Sequence, residues 1–446
     1  MPKLIQFDVK QTLFRMALPM LVGTITMNAY NLADTMYVAQ LGTLPLAAMG
    51  FTFPVVMFFT LVASGVGTGI TALSSNAMGR KDNDAAANIV THGVCLIILF
   101  SILLAVCGYL SVNIIFNMLG ADHQTLPFVR SYMNTWYFGA VFMAIPMMGN
   151  GILISLGDSK SASRFMALGA IVNIVLDPIF IFGWLGMPAL GILGAALATV
   201  ISQAISSSWL FYLLAIKYPL IKFREPNFSA LFNSWKKIAS FAIPASMTMM
   251  LMPISGGVIT ALISQHGVAA VAGVSAASRM EMFAFVIPMA LGMSLTPFVS
   301  QNYGGQRIDR IIEARKYASF FALGYGVFIA LVFFIGAPYL AKLFTQEPDV
   351  TAVFIAYVRT ISFGYGMMEV HRYSGFFLTG MNRPVHTTLL TFTRVLVLLL
   401  PLSYLGSTYW GVAGIFTGRL ITDLLSGTIG LLWVGLFLKA KKQVKP

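Results

Sequence analysis

Two aspartates, Asp34 and Asp177, lie in long apolar stretches of the sequence, and their half of the chain has no cationic residue at membrane depth. A carboxylate at the centre of a membrane helix costs roughly 2.5–3.5 kcal/mol on insertion scales. Such a group is therefore paired with a cation, neutralised by a proton or required for function. Burial disfavours the ionised form of a carboxyl group, and a like-charged neighbour disfavours it further. These residues predict a site that takes up H⁺ or a cation such as Na⁺. Two neutral, hydrogen-bonded structural acids are the alternative.

Hydrogen-bonding side chains accompany both aspartates in the sequence. Asn31 stands nearly one helical turn before Asp34, and Asn173 stands one turn before Asp177. Two residues on other predicted helices lie at a compatible depth and are expected to join the site: Tyr132 and Thr199.

Pro19 lies fifteen residues before Asp34 in the same predicted helix. Proline removes one backbone hydrogen bond and can kink a helix. We therefore predict that the first helix has a weak point at Pro19, where it could bend when the charge of Asp34 changes.

The other charged residues at membrane depth all lie in the second half of the sequence. They are three acidic residues and five arginines: Glu281, Glu369, Asp423, Arg279, Arg359, Arg372, Arg394 and Arg419. Residues three or four apart share a helix face, which predicts that Glu369 pairs with Arg372 and that Arg419 pairs with Asp423. Glu281 requires a partner on another element. We interpret this group as structural ion pairs.

The elements that position these residues are membrane-spanning helices. The chain has 446 residues, of which 58% are hydrophobic and only 10% charged, a composition that excludes an ordinary soluble protein. Apolar windows long enough to cross a bilayer as helices recur throughout the chain. They cover about 12–39, 46–74, 91–119, 128–155, 163–183, 190–217, 235–264, 268–300, 316–341, 350–379, 384–405 and 411–438. The sequence predicts an all-α integral membrane protein with twelve transmembrane helices.

The net charge of +13 follows the predicted topology of the chain. Twenty-one lysines and arginines fall in one set of alternate loops and termini, whereas the opposite set holds only Arg130 and Lys342. The positive-inside rule then places both termini in the cytoplasm. The charge is thus explained without nucleic acid as a partner.

The two halves of the sequence resemble each other. A shift of 225 residues aligns about 70 positions without a gap, including Pro19 with Pro244 and Gly42 with Gly267. Six helices per half is an even number, so the halves share an orientation and are related by a pseudo-two-fold axis along the membrane normal. The predicted domains are residues 1–217 and 235–446, joined by a cytoplasmic linker at 218–234. Repeated halves favour a transporter working by alternating access over a channel or a purely structural duplication.

The aspartates break this internal symmetry. Asp34 aligns with Ile259, and Asp177 aligns with Leu400. Because the second half builds corresponding helices without these carboxylates, the scaffold does not require them, which favours a coupling-ion role.

Three stretches resemble the multidrug and toxic compound extrusion (MATE) family and, with both acids in the first half, its bacterial DinF-like branch. They are "NLADTMYVAQLGTLPLAAMG", "SLGDSKSASRFMALGAIVNIVLDPIFIFG" and "GILGAALATVISQ". The resemblance implies a V-shaped pair of six-helix bundles in the bacterial inner membrane. It also implies export of cationic, amphipathic drugs in exchange for H⁺ or Na⁺.

The resemblance carries the family's ion site onto positions of this sequence. Asp34, Asn173 and Asp177 match the site itself, and Pro19 matches the proline where the first helix is proposed to bend. The hydrogen-bonding neighbours match three further residues: Tyr132, Thr199 and Asn150. Another bacterial branch has an additional acid on helix 7, but no acid occurs here between Trp235 and Gln265. We therefore expect H⁺ rather than Na⁺ as the coupling ion.

Other functional classes are disfavoured. The sequence contains neither an HExxH metalloprotease motif nor a GxxxxGK[ST] nucleotide-binding motif, so we expect no enzyme and no cofactor. We expect a monomer that contacts small-molecule drugs and the lipid bilayer. A lipid-linked glycan flippase stays open as an alternative, which would gain support if Arg359 and Arg394 were unpaired in the transport cavity.

Overall fold

The computed structural model describes residues 3–222 and 227–443, and this part of the chain is almost entirely helical. The α-helices are α1 (Val9–Ala39), α2 (Thr43–Gly79), α3 (Asn83–Met118), α4 (Leu126–Phe138), α5 (Ala140–Ser155), α6 (Ser159–Phe182), α7 (Ile192–Tyr212), α8 (Phe228–Ser264), α9 (Val268–Ala284), α10 (Val286–Gly304), α11 (Ile308–Ala341), α12 (Pro348–Ile361), α13 (Tyr365–Gly380), α14 (Pro384–Phe392) and α15 (Leu400–Gln443).

Length and apolar composition identify eight helical segments that could each cross a membrane. Two bent pairs raise the number to ten, with angles of 56° between α4 and α5 and 53° between α9 and α10. Gly411 has a φ of 61° and divides α15 into two helices. Helix α1 is not among these segments, because Asn28, Asn31 and Asp34 lower its mean hydropathy. With α1 and both parts of α15 counted, the described residues contain the twelve predicted spans.

Helix boundaries follow local capping chemistry. Asp82 accepts a hydrogen bond from the Ala85 backbone N–H at 2.9 Å and so caps α3. Asn227 caps α8 in the same way through Ala230, at 3.0 Å. Prolines occupy the first turns of α4, α12 and α14, where a missing N–H costs nothing.

The described residues form two compact units. Unit 1 comprises Lys3 and Arg15–Ser246, and unit 2 comprises Leu4–Phe14 together with the chain from Met247 onward. Residues 223–226 of the predicted linker lie outside the described residues. Residues 228–234, predicted as linker, are helical instead, because the Asn227 cap starts α8 at Phe228.

Small residues bring the helices of unit 1 close together. A Cβ atom on Gly67 would lie 2.6 Å from the Met147 carbonyl oxygen of α5, and one on Gly69 would lie 2.9 Å from the Ile238 carbonyl oxygen of α8. Larger residues at these positions would force the helices apart. The glycines of α2 therefore fix the frame in which α5 and α8 pack.

Asp158 joins α6 to the segment that follows α7. Its carboxylate accepts hydrogen bonds from the Ser161 N–H at 3.1 Å, the Lys217 ammonium at 3.0 Å and the Tyr218 hydroxyl. Partial burial opposes the charge, but these donors hold the pKa of Asp158 below its usual range. The resulting stabilisation is therefore complete above about pH 4 and is lost only as the pH falls further.

Asp158→Ala should lower the thermal unfolding midpoint in detergent more than Asp82→Ala does. Asp82→Ala removes a single cap, worth about 1 kcal/mol, whereas Asp158→Ala also removes hydrogen bonds to a charged group, worth about 1.5–3 kcal/mol each. Equal midpoints for the two variants would show that the contacts with Lys217 and Tyr218 add nothing to the cap.

Candidate ion-coupling site

Asp34 on α1 and Asp177 on α6 lie together inside unit 1. Their exposed fractions are 8% and 0%, and the two carboxylates are close enough for their charges to interact. Among the described residues, neither carboxylate takes part in an ion pair with a lysine or arginine. The structure thus contains two buried like-charged groups without a compensating cation.

Asn173 connects Asp177 to α7. In the amide orientation that satisfies both ends, its Nδ2 donates to Asp177 Oδ2 at 2.9 Å and its Oδ1 accepts from the Thr199 N–H at 3.2 Å. The Thr199 hydroxyl donates to the Ala195 carbonyl oxygen at 3.0 Å. Asn173 and Thr199 are 1% and 6% exposed, so this network lies in the interior of unit 1.

Two tyrosines complete the cluster. Tyr132 on α4 is 7% exposed and is close enough to Asp34 and Asp177 for electrostatic interaction. Tyr30 on α1 shares a hydrogen bond with Thr199 and also interacts with Asp34. Sequence reasoning did not identify Tyr30, although it stands four residues before Asp34 and thus on the same helix face.

One oxygen of each aspartate, Asp34 Oδ1 and Asp177 Oδ1, is buried without a hydrogen-bond partner among the described residues. An ionised carboxylate in that position would lack both solvent and a counter-ion, and the neighbouring aspartate would repel it. A bound proton or a bound cation removes both penalties. The chemistry available to the site is therefore reversible uptake of positive charge.

The structure places Asn150 away from the carboxylate pair. Asn150 Nδ2 lies 3.4 Å from Met166 Sδ, and Met166 is eleven residues, roughly 16 Å of helix, before Asp177. Asn31 is exposed, and its carbonyl oxygen accepts from the Thr35 hydroxyl at 2.9 Å. Pro19 lies inside the continuous helix α1.

The three buried acidic residues of unit 2 are each paired with an arginine. Arg372 and Glu369 form the predicted ion pair at 3.0 Å, so that prediction is confirmed. The predicted pairing of Arg419 with Asp423 is wrong: Asp423 pairs with Arg394 at 2.7 Å.

Arg419 binds Glu281 instead, and the Tyr357 hydroxyl donates to the same carboxylate at 2.5 Å. Contacts between helices prevail over the spacing of four residues because Glu281 and Arg394 are themselves buried and require partners. Each of these three ion pairs combines one acid with one arginine and is thus balanced in charge.

The two arginines that bear on the flippase alternative differ in their surroundings. Arg394 is bound to Asp423, so it is not the unpaired cation that this alternative requires. Arg359 donates to the Phe334 carbonyl oxygen at 3.0 Å and lies over the Phe334 ring. The case for recognition of pyrophosphate by these two residues is correspondingly weaker.

Asp177→Asn and Asp423→Asn should affect stability in opposite ways, although both aspartates are 0% exposed. Asp423→Asn leaves Arg394 buried without a counter-ion, which should destabilise unit 2 by about 3–5 kcal/mol. Asp177→Asn removes an uncompensated carboxyl group and should leave stability unchanged or raised. Thermal unfolding of both purified variants in detergent at pH 7.5 tests the contrast. A large loss of stability for Asp177→Asn would mean that Asp177 has a structural partner beyond Asn173.

Comparison with known proteins places the chain in a family. The MatE family matches residues 19–179 and 244–405, one segment in each half. The chain is 34% identical to the FAD transporter of Shewanella oneidensis, over 95% of this chain and 94% of that protein. It is 26% identical to the probable multidrug resistance protein YpnP of Bacillus subtilis, over 96% and 95% of the two chains.

Solved structures agree with this assignment. The MATE transporter VcmN of Vibrio cholerae superposes with a TM-score of 0.91 at 27% identity, covering 97% of both chains. A MOP superfamily transporter from Pyrococcus furiosus superposes with a TM-score of 0.89 at 26% identity, covering 99% of this chain and 98% of that one. The chain belongs to the MatE family of multidrug transporters, has their fold of twelve transmembrane helices, and is a transporter rather than an enzyme.

Proposed function

We propose that the chain exports organic compounds across the bacterial cytoplasmic membrane in exchange for H⁺, with Asp34 and Asp177 as the proton-carrying groups. The observation that carries this proposal is the buried carboxylate pair, which has no cationic partner and one unpartnered oxygen on each residue. The excess of basic residues in one set of loops supports termini in the cytoplasm. The chain acts as a monomer in this proposal and requires no cofactor.

The orientation of Asn173 favours H⁺ over Na⁺. Its Nδ2 donor faces Asp177, while its Oδ1 is engaged by Thr199. A hard cation such as Na⁺ needs several oxygen ligands, and an N–H group pointing at the carboxylate is not one of them. The same N–H group stabilises a carboxylate that has just released its proton. Na⁺ remains the alternative coupling ion.

The exchange of cargo for protons follows from the charge of the carboxylate pair. When the pair is ionised, a cationic compound lowers the electrostatic cost of the buried carboxylates. When protons bind, that attraction is lost and the cargo is released. The change of charge at Asp34 is transmitted along α1, which bends near Pro19 where proline removes a backbone hydrogen bond.

The cargo has two candidate classes. Cationic amphipathic compounds fit an acidic, cation-poor unit 1 and the multidrug relatives. An anionic flavin dinucleotide is the second candidate, because the relative at 34% identity is named an FAD transporter and covers nearly the whole chain. The binding affinities of these two classes should change in opposite directions with pH, so an experiment can distinguish them.

Substrate-triggered H⁺ release from acid-loaded, everted membrane vesicles tests the coupling. In Na⁺-free buffer, cationic dyes should collapse the pH gradient in wild type, and Asp34→Asn should reduce the response more than about tenfold because it cannot carry the proton. Asp82→Asn, which alters an exposed cap, is the matched control and should behave as wild type. If the wild-type protein responds only when Na⁺ is added, the coupling ion is Na⁺ rather than H⁺.

Binding of purified protein to a cationic dye and to FAD at several pH values identifies the cargo class. A cationic cargo competes with protons, so its affinity should fall by up to about tenfold per pH unit as the pH decreases. An anionic cargo would bind together with protons, and its affinity would rise instead. Asp34→Asn should flatten either dependence. No binding of either ligand at any pH would reopen the flippase alternative.

A further inference from the structure

Helix α1 is divided between the two compact units. Its first residues, up to Phe14, belong to unit 2, whereas the rest of the helix, including Asp34, belongs to unit 1. The preceding residues from Leu4 onward also belong to unit 2. We call Leu4–Phe7 the hook. Asp8, which follows it, accepts a hydrogen bond from the Gln11 N–H at 2.9 Å and so caps α1.

Leu4 of the hook and two residues in the first turns of α1 are buried in unit 2. Leu4 is 2% exposed, and Val9 and Leu13 are 1% and 4% exposed. The Leu4 N–H donates to Gln301 Oε1 at 2.8 Å, and the Leu4 carbonyl oxygen accepts from Asn302 Nδ2 at 3.3 Å. Both polar groups of the Leu4 backbone are therefore satisfied by side chains of α10.

Arg310 on α11 holds the hook from a second direction. It is 8% exposed, and its Nε donates to Asn302 Oδ1 at 2.9 Å. Its Nη2 donates to the carbonyl oxygens of Leu4 at 3.2 Å and Phe7 at 2.5 Å. A buried guanidinium is costly unless its donors are satisfied, and here amide and peptide oxygens satisfy them. Two of the hydrogen bonds that satisfy Arg310 thus bind the first and last residues of the hook, Leu4 and Phe7.

We propose that Arg310 is a positioning residue for transport, which clamps the first turns of α1 to unit 2 throughout the transport cycle. The inference rests on the proposed function only in taking α1 as the helix that responds to Asp34. With one end clamped, a movement of α1 near Asp34 cannot be dissipated by sliding of the whole helix. The movement is instead delivered to unit 2 through the hook.

The second half of the chain repeats the arrangement. Helix α8 begins in unit 1 and belongs to unit 2 from Met247 onward. The segment before it is also held, since the Lys222 N–H donates to Thr91 Oγ1 at 3.1 Å and the Thr91 hydroxyl donates to the Leu220 carbonyl oxygen at 3.2 Å. The first helix of each half therefore starts in one unit and continues in the other.

The primary test compares Arg310→Gln with Arg307→Gln. Arg307 is the matched control because it is exposed, three residues away, and paired with Asp309 at 2.8 Å. Both variants lose one positive charge, but only Arg310→Gln loses the contacts with the hook. The maximal rate of dye transport in Arg310→Gln should fall about tenfold with unchanged KM, whereas Arg307→Gln should match wild type. Equal rates in the two variants would overturn the assignment.

Deletion of residues 2–7 removes the hook itself and separates its role from general stability. It should cause the same loss of rate as Arg310→Gln, and the combined variant should be no slower than either alone, because both changes break one interaction. Multiplicative effects would show that Arg310 acts independently of the hook. Amide hydrogen exchange of residues 4–14 should increase in Arg310→Gln and stay unchanged in Arg307→Gln. Unchanged exchange in Arg310→Gln would overturn the proposal whatever the cargo or coupling ion.

A covalent link tests whether the clamp persists through the cycle. Phe7→Cys and Arg307→Cys would be joined by a flexible bis-maleimide, with the free, exposed Cys95 and Cys107 replaced by serine. Transport measured as counterflow of labelled substrate should survive the link, and this readout does not depend on the coupling ion. Activity before linking but none after it would overturn the clamp and indicate a hook that must release. Intact counterflow without H⁺ movement would refute the proposed coupling alone.

Discussion

The desolvation of two neighbouring carboxyl groups is the constraint around which unit 1 is arranged. Asp34 and Asp177 are withdrawn from solvent and receive no compensating cation from the described residues. Every other member of the cluster is uncharged at neutral pH. Asn173 donates to the Asp177 carboxylate and is itself held by Thr199. The cluster can therefore stabilise one ionised carboxylate but is poorly suited to stabilise two. Such an arrangement favours binding of a proton or a positively charged ligand over a permanently ionised pair.

Unit 2 treats buried charge in the opposite way. Its three buried acidic residues, Glu281, Glu369 and Asp423, each have an arginine partner, and Tyr357 adds a hydrogen bond to Glu281. Removal of any one of these acids would leave its arginine without the counter-ion that the structure provides. The duplicated scaffold thus carries one unit whose buried carboxylates have no cationic partner among the described residues and one whose buried carboxylates each have an arginine partner. This difference is the physical basis for assigning the ion-coupling role to unit 1.

Sequence reasoning predicted most of the architecture because hydropathy, loop charge and internal repetition are each read directly from residue types. It also named Asp34, Asn173, Asp177, Tyr132 and Thr199, which the structure brings into one region. The details that it missed depend on three-dimensional packing. Spacing along α15 favoured Arg419 with Asp423, but the partners reach from α9 and from the segment after α14.

Two further differences have local causes. The predicted linker lost its last residues to α8, because a single Asn227 cap outweighed the polar composition of that stretch. Asn150 was assigned to the site by family position, yet its amide contacts Met166 some three turns of helix from Asp177. Neither a side chain's direction nor a cap's strength can be read from hydropathy alone.

The prolines of the two repeats relate the hinge to the clamp. Pro19 lies four residues after Arg15, where α1 enters unit 1, and Pro244 lies two residues before Ser246, where α8 leaves it. These prolines align in the internal repeat, so the point of least bending resistance coincides with the passage between units in both halves. The proposed hinge position is accordingly a feature of the duplicated sequence, since α8 has the proline although Ile259 replaces the aspartate there. What distinguishes α1 is the carboxyl group of Asp34 beyond its proline and the buried Arg310, which donates to carbonyl oxygens of the segment just before the helix.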